Sequence, residues 1–258
     1  EAKIFELSEN RTKNDSLKKI EEYVGPTLDR LEELSKKQGE LIGLSSGFKA
    51  VDGVTQGLQK EDLIVIAGRP SMGKTSLAMN IAENVAKEED GCVLVFSLEM
   101  SSESLTSRML ASMAGISQQS FKSANLTDRQ WEKTIQKAKK LESMNIHIDD
   151  KPNISPMEIR AKARRLAKQY RKDGGVKLVV VDYIQLMQMP GRTENRVNEL
   201  SDISRSLKYL AKEVNAPVIV LSQLNRAVEQ RPNKRPQMAD LRDSGAIEQD
   251  ADLIFMLY

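Results

Sequence analysis

The chain has 258 residues, of which 40% are hydrophobic and 29% are charged, which excludes a disordered chain and fits one large domain or one domain with an extension. Lys and Arg number 39 and Asp and Glu 37, so the formal net charge is only +2 and any nucleic-acid binding has to come from a local patch. The single cysteine, Cys92, and single histidine, His147, exclude a disulfide framework and a His/Cys zinc site, and both are predicted to be packing residues.

Neither a signal peptide nor a membrane-spanning segment is expected from the sequence. The start, Glu1-Ala2-Lys3-Ile4, is not a signal peptide, and no apolar run reaches the ~18 residues that a membrane span needs. The chain lacks an initiator Met and stops inside an apolar run, residues 253–258. We therefore expect a piece of a longer protein, from a reducing compartment such as the cytoplasm.

Residues 1–38 are rich in Lys and Glu and predict an amphipathic helix that is broken near Gly25-Pro26. Its apolar stripe consists of Leu17, Ile20, Val24, Leu28, Leu31 and Leu34. The stripe fits a helix packed on its own domain and a linker helix docked on a neighbouring subunit equally well.

From about residue 58 onwards, short apolar runs alternate with helical segments. The runs cover residues 63–67, 93–96, 146–148, 178–181, 218–221 and 253–257, and the helical segments cover 75–87, 102–114, 128–142, 155–171 and 196–213. Thr127 and Gln130 have the spacing of a capping box at the start of one segment. The β-branched runs predict strands buried on both faces, so the pattern indicates an α/β fold with a mostly parallel central sheet flanked by helices.

The first run is followed by a phosphate-binding motif. Gly68-Arg69-Pro70-Ser71-Met72-Gly73-Lys74-Thr75 matches GxxxxGK[ST], the P-loop, between a strand and a helix as the motif requires. Backbone N–H groups of such a loop surround phosphates, Lys74 reaches the β- and γ-phosphates, and Thr75 supplies a hydroxyl to Mg²⁺. We predict ATP contacts from Gly68, Arg69, Pro70, Ser71, Met72, Gly73, Lys74, Thr75 and Ser76.

Polar residues end three further runs, at the edge where parallel sheets bind ligands. Asp182 directly follows the fourth run, the Walker B position, and is predicted to hold Mg²⁺ together with Thr75. Glu99 follows the second run and is the leading candidate to activate or orient the attacking water. Gln223 ends the fifth run, where an amide can sense the γ-phosphate; a plain polar loop start is the alternative.

Two loops that leave the same edge are basic, residues 224–236 and 189–196. Neither contains an aromatic residue, so contact with a nucleic-acid backbone rather than base stacking is predicted if they bind DNA at all. Charge alone does not decide between this role and two solvated loops. The basic stretch 160–172 is interpreted as the solvated face of a helix.

Five segments together resemble the RecA-like motor domain of the DnaB family of replicative DNA helicases. They are residues 68–75, Phe96-Ser97-Leu98-Glu99-Met100, Val181-Asp182-Tyr183-Ile184-Gln185-Leu186-Met187, residues 221–226 and residues 240–252. The resemblance implies a RecA-like P-loop NTPase fold, with a linker region over 1–40 and a motor domain over 41–258.

The resemblance also implies an activity and partners. The protein would be a homohexameric ring that hydrolyses ATP between subunits, moves 5′ to 3′ on single-stranded DNA, and works with primase and a helicase loader. Lys74, Glu99 and Gln223 match its catalytic residues, and Thr75 and Asp182 match its metal ligands. Arg242, Asp243 and Gly245 match the segment that contacts the DNA backbone, which moves the predicted contacts away from the basic stretch 226–235.

One family element, the arginine finger, would lie beyond Tyr258.

Two other functions also use a P-loop to bind ATP. One is a RecA-like recombinase that coats DNA as a filament, and the other is a loader module that uses ATP as an assembly switch. The linker helix and the segment 182–187 favour the helicase over the recombinase.

Overall fold

The structure is a computed structural model that describes residues 19–36, 41–189 and 196–258, without the side chains at positions 30, 33, 34, 36 and 242–246. The chain divides into two compact units, Glu1–Ile42 and Gly43–Tyr258. In the described part of the chain, no helix is long and apolar enough to cross a membrane.

The first unit contains helix α1, Glu21–Lys36. The predicted break at Gly25-Pro26 is wrong, because α1 runs through both residues. Pro26 removes only the one hydrogen bond that its own N–H would have made, and the Thr27 hydroxyl donates to the Tyr23 carbonyl oxygen at 2.7 Å beside it. Apolar side chains along α1, among them Val24 and Leu28, are exposed.

The second unit alternates strands and helices along the chain. Its strands are β1 Leu63–Gly68, β2 Cys92–Ser97, β3 Ile146–Asp149, β4 Val176–Asp182, β5 Val218–Gln223 and β6 Leu253–Leu257. Its first seven helices are α2 Lys49–Thr55, α3 Lys74–Glu88, α4 Ser102–Ala114, α5 Gln118–Lys122, α6 Asp128–Glu142, α7 Pro156–Gln169 and α8 Arg196–Val214. Two short α-helices, α9 Ala227–Gln230 and α10 Gly245–Asp250, and two 3₁₀ turns, Ile184–Leu186 and Met238–Ser244, complete it.

The six strands form one sheet in the order β3-β2-β4-β5-β1-β6, and every strand pairing in it is parallel. Strands β1, β2 and β5 are buried almost throughout, as predicted. The prediction of burial on both faces is wrong for β3 and β6, which are only half-buried. Each of these two strands lies at an edge of the sheet and has one strand neighbour instead of two.

Two apolar cores lie on opposite faces of the sheet, as the two-residue period of a strand requires. Leu63 and Val65 point into one core and Ile64 and Ile66 into the other. Buried residues of α8 and α7 complete the first core, and those of α3 and α4 complete the second. The predicted capping box at Thr127 is confirmed at the start of α6.

Cys92 and His147 both have packing roles. The Cys92 side chain is 1% exposed within the first core, and burial raises the pKa of its thiol to about 11. His147, on the edge strand β3, is half-buried with its Nε2 atom 3.0 Å from the Tyr170 hydroxyl.

Candidate functional site

The P-loop connects the end of β1 to the start of α3, as predicted. Ser71 and Gly73 have left-handed φ angles of 66° and 86°. Glycine adopts this backbone without a steric cost, which suits Gly73, the residue immediately before the helix. The Lys74 Nζ atom donates hydrogen bonds to the carbonyl oxygens of Gly68, at 2.9 Å, and Arg69, at 3.1 Å. The loop therefore holds the ammonium group at the N-terminus of a helix, which is an anion-binding position.

Thr75 and Asp182 meet although they are 107 residues apart in the chain. The Thr75 hydroxyl donates to Asp182 Oδ2 at 2.8 Å, and Asp182 is only 3% exposed at the end of β4. Burial raises the pKa of the Asp182 carboxyl group, and the nearby Glu99 raises it further, while the Thr75 hydrogen bond and Lys74 lower it. A cation beside this carboxylate would offset the free-energy cost of burying its negative charge.

The chemistry of this pair fits Mg²⁺. A hydroxyl and a carboxylate are hard oxygen donors, and Mg²⁺ is usually bound by one or two protein oxygens and completed by phosphates and water. Within the described residues there is no group of three or more His, Cys, Asp or Glu side chains that could hold a metal ion. A two-oxygen site of this kind is completed by oxygen atoms of a phosphate and of water when Mg²⁺ binds.

The charge of Lys74 depends on its burial and on two nearby carboxylates, those of Asp182 and Glu99. Burial lowers the pKa of its ammonium group, and the carboxylates of Asp182 and Glu99 raise it. The lysine charge is thus supported by two anions while it remains available to a third one, a phosphate.

Glu99 is positioned by a turn after β2. The Ser97 hydroxyl donates to the Met100 carbonyl oxygen at 2.7 Å, and the Met100 N–H donates back to Ser97 Oγ at 3.2 Å. The Leu98 N–H donates to the Asp182 carbonyl oxygen at 2.7 Å, which fixes the turn against the end of β4. The Glu99 side chain itself is exposed. A solvated carboxylate on a fixed turn is suited to contact a water molecule.

These side chains surround one cleft of about 440 Å³. Its lining residues are Pro70, Ser71, Gly73, Lys74, Thr75, Ser76, Glu99, Met100, Arg108, Tyr183 and Gln223. The structure thus brings together the predicted ATP-binding loop, Glu99 and Gln223, which come from the ends of β1, β2 and β5. Asp182 reaches the cleft through its hydrogen bond with Thr75.

The Arg69 side chain turns away from this cleft. Its Nε atom pairs with Glu229 Oε1 at 2.7 Å, and its Nη1 atom donates to the Leu224 carbonyl oxygen at 2.8 Å. Arg69 instead lines a second cleft of about 300 Å³, which shares Tyr183 and Gln223 with the first. A predicted ATP contact of Arg69 would therefore involve its main chain.

Sequence reasoning did not single out Arg108 and Tyr183. Arg108 lies on α4, and its Nε atom is buried with no hydrogen-bond partner among the described residues. No local signal marks it, because an arginine on an amphipathic helix is ordinary. Tyr183 follows Asp182 through a cis peptide bond, and burial raises the pKa of its hydroxyl group. Its position next to the Walker B acid is the signal that could have identified it.

Two arginines of the basic stretch 226–235 contact other residues of the chain. Arg231 is engaged by Asp240 and by Gln237 Oε1, the latter at 2.8 Å, and the Arg235 guanidinium carbon lies 5.3 Å from the ring centre of Tyr258. Residues 190–195 of the other basic loop lie outside the described residues.

The three residues matched to DNA contact, Arg242, Asp243 and Gly245, lie in the second 3₁₀ turn and at the start of α10. Their side chains lie outside the described part of the structure, so their role stays a prediction. On the basic helix α7, Arg160 and Arg164 pair with Glu213, as a surface-exposed helix face would allow.

Comparison with known proteins shows the family to which the chain is related. Residues 43–258 match the model of the DnaB-like helicase C terminal domain. The chain is 46% identical over 257 residues to replicative DNA helicase DnaB of Geobacillus stearothermophilus, and 48% identical over 263 residues to that of Pasteurella multocida strain Pm70. These alignments cover 99% and 100% of this chain but 56% of each relative, so the chain spans about half of their length.

Two solved structures share the fold. One, described as an ATPase domain, superposes with a TM-score of 0.86 at 37% identity, covering 94% of this chain and 84% of that one. A DnaB-like replicative helicase, from a study of its interactions with primase, superposes with a TM-score of 0.82 at 38% identity, covering 90% of this chain and 55% of that one. The RecA-like α/β fold expected from the sequence is thereby confirmed.

Proposed function

The chain belongs to the DnaB-like helicase C-terminal domain family, and from that membership we propose that it is the ATP-driven motor of a replicative DNA helicase. In this proposal residues 1–40 form a linker region and residues 41–258 the motor domain. The motor hydrolyses ATP and uses the energy to move 5′ to 3′ along single-stranded DNA and to unwind the duplex at the replication fork.

The observation that carries the proposal is the convergence of four side chains on one cleft. Lys74, Thr75, Glu99 and Gln223 come from three strand ends and line the same space of about 440 Å³. Each supplies one requirement of phosphoryl transfer: a cation for the phosphates, a metal ligand, a group for the attacking water and an amide for the γ-phosphate.

We assign the steps to this chain's own residues. The P-loop main chain binds the phosphates of ATP, and Lys74 turns from the loop carbonyl oxygens towards the β- and γ-phosphates. Thr75 and Asp182 would hold Mg²⁺, which neutralises charge on the phosphates. Glu99 orients the attacking water and accepts its proton, and Gln223 hydrogen-bonds the γ-phosphate and reports its loss.

The proposed assembly is a homohexameric ring around single-stranded DNA in the cytoplasm. Helix α1, with apolar side chains exposed along it, would dock on the neighbouring subunit. The structure that includes primase interactions belongs to a relative, and we propose primase and a helicase loader as partners of this protein as well.

The test of the proposed function is ATP hydrolysis, with and without single-stranded DNA, by a protein that continues past Tyr258 and so includes the expected arginine finger. Because the motor couples the two ligands, we expect DNA to stimulate hydrolysis and the rate to fall when DNA is removed. Hydrolysis that is indifferent to DNA would contradict the translocase and favour an ATP-switched binding module. Electron microscopy with ATP and DNA then separates a closed ring from a recombinase-type filament.

Replacing Arg242 with alanine should weaken binding of single-stranded DNA about equally for all sequences. A backbone contact carries no base information, and losing one phosphate contact should reduce the slope of log affinity against log salt by about 0.7. The measurement is fluorescence anisotropy with labelled oligonucleotides of several sequences at several salt concentrations.

The control for this variant is Lys234→Ala, which removes an exposed cation from the basic stretch 226–235. We expect Lys234→Ala to bind DNA nearly as the unchanged protein does. A larger effect of Lys234→Ala than of Arg242→Ala would move the DNA site to the basic stretch. A loss confined to one oligonucleotide sequence would contradict backbone contact.

A further inference from the structure

The central strand β5 extends beyond its ladder with β4. That ladder pairs Val179, Val180 and Val181 with Val218, Ile219 and Val220. Strand β5 continues to Gln223, and its last residues stay paired on the other side with β1, where Gln223 is in register with Gly68. On the β4 side, the chain instead turns after Asp182 into the 3₁₀ turn Ile184–Leu186.

The side chain of Gln185, in that 3₁₀ turn, takes the position of the missing strand neighbour. Its Oε1 atom accepts a hydrogen bond from the Gln223 N–H at 3.2 Å, and its Nε2 atom donates to the Gln223 carbonyl oxygen at 3.3 Å. Nε2 also donates to the hydroxyl of Ser222, a fully buried residue, at 3.0 Å. The amide thus bonds both main-chain polar groups of Gln223, which two successive peptide groups of a neighbouring strand would bond in a continued parallel ladder.

The turn that carries Gln185 is itself anchored. Arg196, the first residue of α8, donates from Nη2 to the carbonyl oxygens of Gln185 at 2.7 Å and Met187 at 3.0 Å. Arg196 also pairs with Glu199, which is 9% exposed and accepts from the Met189 N–H at 2.8 Å. Ile184 and Met187, on either side, are fully buried. The Gln185 amide is therefore held on a rigid support.

From this geometry we propose that Gln185 is the positioning residue of Gln223. It fixes the main chain of Gln223 and so holds that side chain at the nucleotide cleft, where the γ-phosphate binds. The planar amide accepts from the N–H through Oε1 and donates to the carbonyl oxygen through Nε2. This role rests on the proposed function, because it presupposes that Gln223 contacts the γ-phosphate.

The test compares binding of ADP and of a non-hydrolysable ATP analogue, each followed by fluorescence. Gln185→Met keeps the length of the side chain but removes its donor and acceptor. Gln185→Glu keeps an acceptor for the Gln223 N–H but places a carboxylate oxygen against the Gln223 carbonyl. For both variants we expect the preference for the ATP analogue over ADP to fall by about tenfold, as for loss of one or two net hydrogen bonds. We expect the affinity for ADP to change by less than about twofold, because ADP lacks the γ-phosphate that Gln223 would contact.

The double variant separates positioning from a general loss of structure. If Gln185 acts through Gln223, Gln185→Met combined with Gln223→Ala will show the same preference as Gln223→Ala alone. The matched control is Gln188→Met, the same substitution at an exposed site three residues further on, which should leave the preference unchanged. Thermal unfolding of every variant is measured alongside.

The outcomes are distinct. An unchanged nucleotide preference in folded Gln185→Met or Gln185→Glu would overturn the positioning role, and so would a double variant that loses the product of both single effects. If Gln185→Met does not fold, Gln185→Glu decides. A parent protein that binds ADP and the analogue equally would overturn the γ-phosphate role of Gln223, and the role of Gln185 with it. Hydrolysis that does not respond to DNA, with the preference intact, would overturn the helicase proposal alone.

Discussion

Replacing Lys74 with alanine is expected to lower ATP hydrolysis by about 10²–10⁴-fold. The ammonium group lies 2.9 Å from the Gly68 carbonyl oxygen and lines the cleft, so it is placed to reach the β- and γ-phosphates. Two charge-assisted hydrogen bonds to phosphate oxygens are worth about 3–6 kcal/mol together, which converts to that range of rates. The measurement is steady-state hydrolysis over a range of ATP concentrations, with and without single-stranded DNA.

The matched control is Lys87→Ala, which removes an exposed lysine from the other end of the same helix, α3. We expect Lys87→Ala to hydrolyse ATP at the rate of the unchanged protein, since Lys87 lies in the last turn of α3, away from the phosphates. Unchanged ATP turnover in Lys74→Ala would contradict the assignment of the P-loop.

Replacing Glu99 with glutamine should leave ATP binding intact and slow the hydrolytic step by about 10²–10⁴-fold, the usual contribution of a general base. The amide has the size of the carboxylate but cannot accept a proton from the attacking water. Glu99 is exposed on a turn fixed by Ser97 and by the Leu98–Asp182 hydrogen bond, so the substitution should not disturb the fold. Single-turnover hydrolysis at saturating enzyme isolates the chemical step from product release.

Glu103→Gln, in the first turn of α4, is the control for Glu99→Gln because it changes an exposed glutamate that does not line the cleft. Its single-turnover rate should match that of the unchanged protein. A near-normal rate in Glu99→Gln would show that another group activates the water.

The main elements of the second unit could be predicted because their signals are local. The apolar runs give the six strands within two residues at each end, and the P-loop spacing places the phosphate site. Asp182, Glu99 and Gln223 follow from one rule, that residues at the carboxyl ends of parallel strands share one edge. The structure brings Glu99 and Gln223 into the cleft with Lys74, and Asp182 to Thr75.

The parts that were missed depend on contacts between distant segments. The order of the strands within the sheet decides which strands lie at its edges, and this order cannot be read from their order along the chain. The half-burial of β3 and β6 was therefore not predicted. Arg108 reaches the cleft from the middle of a helix, and Gln185 acts by a side-chain hydrogen bond across 38 residues. The break predicted at Pro26 failed because one lost backbone hydrogen bond does not end a helix of 16 residues.

The buried thiol of Cys92 has a practical consequence for studying the proposed ring. A pKa of about 11 leaves almost no thiolate at neutral pH, and a side chain 1% exposed admits no reagent. Cys92 is also the only cysteine of the chain. A cysteine introduced at an exposed position of α1 or α6 would thus be the single labelling site on each copy. Fluorophores or cross-linkers attached there would report distances between neighbouring copies without first removing the native thiol.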